Sequence, residues 1–227
     1  MKKTLLSLML GLWTLSVYAE RELFPIKWNE IENAVAANPN QVKSLVERLA
    51  LPTLDKTLTW DERRLAFYGQ SILIKDKEDG KVREATSAYN AGQYEKSLSI
   101  AKEALTINAL SLSALRIAEN SILYLIEAGN AEYQKSDAEV FYNRAFRIYN
   151  TIATTGDGSS EHPFFVTKVS DEYDFMRYYL ELWDYSGQSL VGTCDVFDLE
   201  KTSKYYSEKR VWFDSSRSLY LLQEKMK

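Results

Sequence analysis

From residue 26 to about residue 155, apolar side chains recur every three or four positions, which is the spacing of amphipathic helices. Asn38-Pro39-Asn40, Pro52 and Gly129 interrupt this pattern and indicate helix ends. Thr59 with Glu62, and Ser136 with Glu139, fit capping boxes that satisfy backbone N–H groups in a first helical turn. The predicted helices cover residues 26–37, 41–50, 59–74, 81–91, 94–108, 111–128 and 136–154.

One hairpin near the middle of the chain has the pattern of a tetratricopeptide repeat. Gly92-Gln93-Tyr94 has the form of the turn that opens the second helix of such a repeat. Leu98, Ala101 and Leu105 then continue one helical stripe in which a small residue permits close approach of a neighbouring helix. The helix at 136–154 lacks this turn, so only one repeat is convincing. Because roughly three stacked repeats are needed to bury a continuous core, we expect the helical pairs to pack against the rest of the chain.

Past residue 155 the helical period gives way to short apolar runs separated by turns. We predict strands at Phe164–Ser170, Leu190–Leu199 and Arg210–Phe213, and helices at Asp171–Trp183 and Asp214–Lys227. The chain is therefore predicted to be α+β and mainly α, with tetratricopeptide-like helical hairpins packed against a small antiparallel-sheet C-terminal module. We expect the two regions to unfold together in one cooperative transition.

The first nineteen residues have the pattern of a Sec signal peptide. Lys2 and Lys3 precede an apolar, uncharged run from Thr4 to Val17, and the small residue Ala19 follows. The run is shorter than a membrane-spanning helix requires, so we expect cleavage after Ala19 and no stable membrane insertion afterwards. The expected division is a signal peptide at 1–19, a tetratricopeptide-like helical region at 20–155 and an α+β module at 156–227, in a periplasmic or secreted protein.

The charge balance argues against nucleic-acid binding. The chain has 28 Lys and Arg residues against 32 Asp and Glu residues, a net charge of -4. Removal of residues 1–19 takes away two lysines and no acids, so the expected mature chain has 26 minus 32, or -6. Nucleic-acid-binding domains usually present a basic face instead.

The candidates for covalent catalysis are few. Cys194 is the only cysteine and His162 the only histidine, which excludes an internal disulfide and multi-cysteine metal sites. The two residues could in principle form an activated thiolate pair. A lone cysteine in a predicted strand more commonly acts as a small buried apolar residue, and a histidine in a polar loop is commonly solvated. We therefore favour a structural interpretation of both.

The candidates for metal binding and acid–base catalysis also have simpler structural explanations. The loop residues with possible metal ligands are Asp157, Ser159, Glu161 and His162, and the carboxylates with a possible role in glycoside hydrolysis are Asp195, Asp198, Glu200 and Asp214. The glycine-flanked loop is more typical of a turn, and charges at strand ends are usually solvated. The charged run 75–80 lacks the ligand spacing of a calcium loop and is interpreted as a solvated loop. We expect no metal and no cofactor.

The C-terminal module is unusually rich in aromatic residues. A small sheet needs large side chains to form a core, which accounts for many of them. Tyr178, Tyr185, Tyr205 and Tyr206 are harder to place inward together with their neighbours. Some of these four could form an exposed platform for a peptide or a glycan.

Several short segments stand out in order along the chain: Leu58–Arg64 with Tyr68-Gly69, Thr155–Gly158, Val169–Tyr173, Gly187–Gly192 with Cys194-Asp195, and Phe213–Ser218. Together they resemble the domain-of-unknown-function family numbered 4919. The resemblance extends over nearly the whole mature chain. It implies an exported, mostly helical, tetratricopeptide-like protein of Bacteroidota-type bacteria, and it supplies no catalytic residues.

These observations favour an exported, non-enzymatic interaction protein of the bacterial envelope, with a protein or peptide partner. We expect the partner to contact the concave face of the helical pairs through Tyr89, Asn90, Arg116 and Asn120. The alternative is an envelope hydrolase or glycan-binding protein that uses the C-terminal module. A shared cleft holding Cys194, His162 and the acidic residues would favour the enzyme, whereas scattered positions would favour the scaffold.

Overall fold

The computed structural model describes residues 22–226, and its N-terminal two thirds is helical. The helices are α1 Trp28–Ala37, α2 Pro39–Leu49, α3 Trp60–Ile74, α4 Asp79–Asn90, α5 Tyr94–Ile107, α6 Leu112–Glu127 and α7 Lys135–Ala153. The predicted signal peptide lies outside the described residues. Within residues 22–226, no helix combines the length and the apolar character needed to cross a membrane.

Local capping chemistry sets several of these helix ends. At the start of α3, Glu62 N–H donates to the Thr59 hydroxyl at 3.2 Å and Thr59 N–H donates to the Glu62 carboxylate at 2.8 Å, which confirms the predicted capping box. The box predicted at Ser136 is wrong. Helix α7 begins one residue earlier, because Gln134 N–H donates to the Asp137 carboxylate at 2.8 Å.

Helices α4 to α7 form two antiparallel pairs that pack as the tetratricopeptide-like pattern predicted. Gly92 takes the left-handed conformation, with φ of 71°, in the turn between α4 and α5. Ala85, Ala101 and Ala118, one from each of α4, α5 and α6, are completely buried in a common cluster. Their small side chains let the three helices approach closely.

The C-terminal module is a four-stranded mixed sheet with two helices. It contains β1 Phe164–Phe165, α8 Val169–Tyr178, β2 Tyr185–Val191, β3 Cys194–Leu199, β4 Arg210–Asp214 and α9 Ser216–Lys225. The strand order is β1-β4-β3-β2. The sheet is not wholly antiparallel as predicted, since β1 runs parallel to β4.

Three predicted elements of this module change. The strand expected over residues 164–170 is only two residues long, because the Asp171 carboxylate accepts the N–H groups of Thr167 and Lys168 and starts α8 at Val169. Helix α8 also ends earlier than predicted, at Tyr178. The strand expected over residues 190–199 is divided by a hairpin turn at Gly192-Thr193, so that residues 190 and 191 end β2 and β3 begins at Cys194.

One hydrophobic core spans both regions of the chain. Ile148 and Tyr149 of α7 lie in the same buried cluster as Phe164, Phe175 and Phe213 of the C-terminal module. The Tyr149 and Phe175 rings meet edge to face with centroids 6.1 Å apart. The helical pairs therefore complete their core with the C-terminal module, which is the arrangement that the shortage of repeats predicted.

We expect Ala101→Trp to destabilise the protein by about 1 to 3 kcal/mol, because a large side chain would overpack the close contact of α4, α5 and α6. Chemical denaturation would measure the change in the free energy of unfolding. Ser99→Trp, at an exposed position of the same helix, is the control and should change stability by no more than about 0.5 kcal/mol. Equal effects at the two positions would contradict the packing described for α5.

Candidate partner-binding surface

Three tyrosines meet where α4, α5 and α6 come together. The Tyr94 and Tyr124 rings stack with centroids 4.7 Å apart and an interplanar angle of 7°. Tyr89 packs edge-on against both rings, with centroids at 5.4 and 5.8 Å. Burial, followed by the neighbouring Tyr124, raises the pKa of Tyr89 to about 12, so its hydroxyl stays protonated at neutral pH. Tyr124 remains 43% exposed and can contact another molecule.

Arg116, which was predicted to contact a partner, is engaged within the protein. Its side chain forms an ion pair with Glu119, one turn further along α6. Its guanidinium carbon lies 3.6 Å from the centroid of the Tyr178 ring of α8. Burial raises the pKa of Glu119, and Arg116 opposes that shift. Arg116 is only 8% exposed, so in this structure it joins α6 to α8 and offers little surface to a partner.

Helix α8 divides the inner face of α6 into a covered half and an open half. At the covered end, Ser113 donates to the Asp174 carboxylate at 3.2 Å and Arg116 lies under Tyr178. Asn120, one turn beyond Arg116, is half-buried, and Tyr124 one turn further is exposed. We call the uncovered patch the open face and define it by five residues. They are Tyr89, Asn90, Tyr94, Asn120 and Tyr124.

Two members of the open face were not among the predicted contact residues. The sequence pattern assigned Tyr94 to the packed stripe of the repeat, but the ring lies half-buried at the surface against Tyr124. Tyr124 itself falls on the exposed side of α6, one turn after the predicted contact residue Asn120. That spacing was the available signal. Nearby in the C-terminal module, Trp183 is 59% exposed and packs edge-on against Tyr178.

The cysteine and the histidine are not brought together as a catalytic pair. Cys194 is half-buried, and burial, followed by the charge of Asp214, raises the pKa of its thiol, which disfavours the reactive thiolate. His162 is exposed, with its Nδ1 atom 3.9 Å from an Asp157 oxygen.

Two of the acidic candidates, Asp198 and Asp214, have separate partners. Asp198 accepts from Arg210 at 2.6 Å, whereas Asp214 accepts from Thr193 at 3.3 Å. The loop at 156–162 is folded on itself, since the Asp157 carboxylate accepts the Ser159 N–H at 2.9 Å. Across the part of the chain that the structure describes, no three His, Cys, Asp or Glu side chains are grouped so that they could hold a metal ion.

The expected aromatic platform of the C-terminal module does not assemble from its four tyrosines. Tyr206 is buried. The backbone carbonyl oxygens of Arg210 and Gly158 lie 2.7 Å and 2.8 Å from its hydroxyl, which can donate to either one. Tyr178 covers Arg116. Tyr185 and Tyr205 are exposed, but Tyr185 packs on Phe197 and Tyr205 lies beside Lys204.

The charged run 75–80 is not the solvated loop that its composition predicted. Glu78 is completely buried, and the ammonium of Lys168, from the C-terminal module, lies 2.5 Å from its carboxylate. The same ammonium lies 2.6 Å from Asp79 and 3.5 Å from Asp76. One Glu78 oxygen lacks a protein partner and lines a cavity of about 30 Å³, a volume suited to ordered water. The loop thus ties the helical region to the start of α8.

The model of one protein family matches most of the chain. It is described as a domain of unknown function, DUF4919, and it matches residues 29–226. The chain belongs to the DUF4919 family. No curated protein and no solved structure matches it. In this DUF4919 protein, the arrangement of its own side chains is therefore the guide to its function.

In the DUF4919 chain, Lys168→Met should cost about 3 to 5 kcal/mol of stability, because it leaves the Glu78 carboxylate buried without its cation. Burial alone would lower the pKa of Lys168, but the Glu78 and Asp79 carboxylates more than offset it and raise the pKa above its usual value. Lys204→Met, which removes an exposed lysine 3.4 Å from Glu181, is the control and should cost at most about 1 kcal/mol. Denaturation of both variants measures the difference, and similar losses would contradict the proposed tie.

A second buried carboxyl group lies between α8 and the sheet. Glu172 is completely buried and is hydrogen-bonded to the Ser215 hydroxyl at the start of α9. Burial raises the pKa of Glu172 to about 9, the Ser215 hydrogen bond opposes the shift, and the nearby Asp195 carboxylate adds to it. Burial likewise raises the pKa of Asp171 to about 6 and that of Asp174 to about 7. The α8 face toward the core therefore holds several carboxyl groups that folding keeps protonated above their usual range.

These raised pKa values predict that stability falls as the pH rises. Between its ordinary pKa of 4.5 and its folded pKa of about 9, Glu172 holds a proton in the folded state that it loses on unfolding. From about pH 8, Asp171 and Asp174 are largely ionised in both states, so near pH 8 Glu172 alone should lower the stability by about 1.4 kcal/mol per pH unit. Glu172→Gln should flatten the stability profile from about pH 7 to 8.5, whereas Glu200→Gln, at an exposed position, should not. Parallel profiles would contradict the buried, protonated state.

Proposed function

We propose that this protein is an exported, non-enzymatic interaction protein of the bacterial envelope, which binds an extended segment of a partner protein on the open face. The observation that carries the proposal is the stacked pair Tyr94 and Tyr124, flanked edge-on by Tyr89, at a surface left uncovered by α8. The Cys194 thiol, whose pKa is raised by burial and by the nearby Asp214 carboxylate, and the exposed position of His162 beside Asp157 also favour a scaffold over a cysteine hydrolase.

The chemistry of the open face favours a peptide. Tyrosine rings provide large, rigid apolar contact area at low conformational cost, and they are enriched in protein recognition surfaces. Asn90 and Asn120 add amide groups that can both donate to and accept from a peptide backbone. The five residues that define the face carry no formal charge at neutral pH, so the favoured partner segment is uncharged and rich in apolar or aromatic residues.

The proposal that the protein is exported rests on the sequence of residues 1–19. Two lysines, an apolar run and a terminal alanine have the order of a Sec signal peptide. Export would place the open face in the periplasm or outside the cell.

A glycan-binding role for the C-terminal module is the second candidate. The highly exposed Trp183 favours it, because an indole ring can stack on a sugar face. Its packing against Tyr178 also places it beside the covered half of α6. A hydrolase would need carboxylates at a defined separation, and Asp198 and Asp214 are each held by local partners.

A photoreactive benzoylphenylalanine placed at position 124 should crosslink the full chain to one protein partner in the native cell envelope. The matched control is position 142, because Tyr142 is 42% exposed and stacks on Phe146 rather than on a tyrosine of the open face. We expect a discrete adduct from position 124 and none from position 142, with the partner identified by mass spectrometry.

The affinity of the identified partner for variants of the full chain then tests how much Tyr124 contributes to binding. Tyr124→Ala should weaken it roughly tenfold or more if this ring is a central contact, whereas Tyr142→Ala should leave it unchanged. Adducts of the same mass from both positions would contradict a peptide site on the open face. A carbohydrate adduct, or one that forms only near Trp183, would support the glycan-binding alternative instead.

A further inference from the structure

Strand β2 forms one edge of the sheet and its outer side is unpaired. The strand order β1-β4-β3-β2 leaves β2 with β3 as its single neighbour. Apart from Gly187, the side chains from Tyr185 to Val191 are exposed, on both faces of the strand. In the region that the structure describes, the backbone of these seven residues makes no hydrogen bond outside the sheet. A free backbone edge is a ready template for pairing with another strand.

The turn at the end of β2 determines which backbone groups face outward. Val191 and Cys194 are the paired residues that close the two-residue turn Gly192-Thr193, and Gly192 has the positive φ, 64°, that such turns require. A closing pair of this kind exchanges hydrogen bonds, and the pairs alternate from there along an antiparallel ladder. Ser189 therefore bonds to β3, whereas the N–H and C=O groups of Gln188 and Leu190 point away from the sheet.

Strand β2 carries few of the features that prevent the exposed edge strands of natural proteins from pairing with one another. Edges are commonly blocked by lysine, proline or inward-pointing charges. From Tyr185 to Val191 the sequence is Tyr-Ser-Gly-Gln-Ser-Leu-Val, with no charged residue and no proline. The pairing irregularity between Tyr185 and Gly187 lies at the far end from the turn. Leu190 and Val191, at the near end, are exposed apolar side chains.

We propose that β2 pairs with β2 of a second copy of this chain, antiparallel and about a two-fold axis at Ser189. The outward N–H and C=O groups of Gln188 and Leu190 lie symmetrically on either side of Ser189. Gln188 therefore pairs with Leu190 of the second copy, and Leu190 pairs with Gln188 of the second copy. This register forms about four hydrogen bonds across the axis and joins the two sheets into one.

The absence of charge favours a second copy as the occupant, because self-pairing places no like charges opposite one another. Leu190 would lie opposite Gln188 of the second copy, and Val191 opposite Gly187, which leaves room for the larger side chain. An interface made by one strand is small, so the dimer should dissociate reversibly with dilution. This inference is independent of partner binding on the open face.

Sedimentation equilibrium of the mature chain should show a reversible monomer–dimer equilibrium. Leu190→Pro removes an outward N–H without breaking a bond to β3, so it should give a monomer with an unchanged thermal transition. The control is Ser99→Ala, at an exposed site on α5, which should leave the monomer–dimer equilibrium unchanged.

Cysteine crosslinking tests the register in a Cys194→Ser background. Ser189→Cys faces itself across the axis in a non-hydrogen-bonded pair, so under mild oxidation it should form a disulfide dimer on the order of tenfold faster than Ser186→Cys. A monomer at every accessible concentration would overturn the proposal. A dimer that survives Leu190→Pro, or that crosslinks equally well through position 186, would overturn it as well, because the contact would lie elsewhere or in another register.

Discussion

The burial of Phe175 between the helical pairs and the sheet is the interaction on which the rest of the structure depends. This completely buried ring packs against Tyr149 of α7, Phe164 of β1 and Phe213 of β4. Two helical pairs are too few to enclose a continuous core of their own. The C-terminal module supplies the missing apolar surface, and it also covers half of the inner face of α6. The shape of the candidate binding surface is thus a consequence of how the core is closed.

Several charged and carboxyl groups are buried beside this apolar core. Lys168 neutralises buried Glu78, Arg116 pairs with Glu119, and α8 turns Asp171, Glu172 and Asp174 toward low-dielectric surroundings. Groups of this kind contribute little net stability, and their loss one at a time is costly. We infer that these groups help to specify how α8 docks between the two regions.

Most features that depend on near neighbours were predicted, whereas the individual contacts between side chains distant in the sequence were not. The Thr59 capping box and the Gly92 turn are written within a few residues, and both form. Lys168 and Glu78 are 90 positions apart, so the burial of Glu78 within a run of charges was not predicted. Arg116 was predicted to contact a partner, but the Tyr178 ring that covers it comes from a helix whose docking no local pattern reports. The proposed contact surface therefore keeps Tyr89, Asn90 and Asn120, loses Arg116 and gains Tyr94 and Tyr124.

Native-state hydrogen exchange, followed by NMR over increasing denaturant, tests most directly whether the two regions form one cooperative structure. Because the two regions share one core, we expect the slowest amides of α5 in the helical region and of β3 in the C-terminal module to exchange with the same free energy and the same denaturant dependence, which are those of global unfolding. Exchange of the β3 amides through a separate opening of lower free energy, while the α5 amides stay protected, would contradict it.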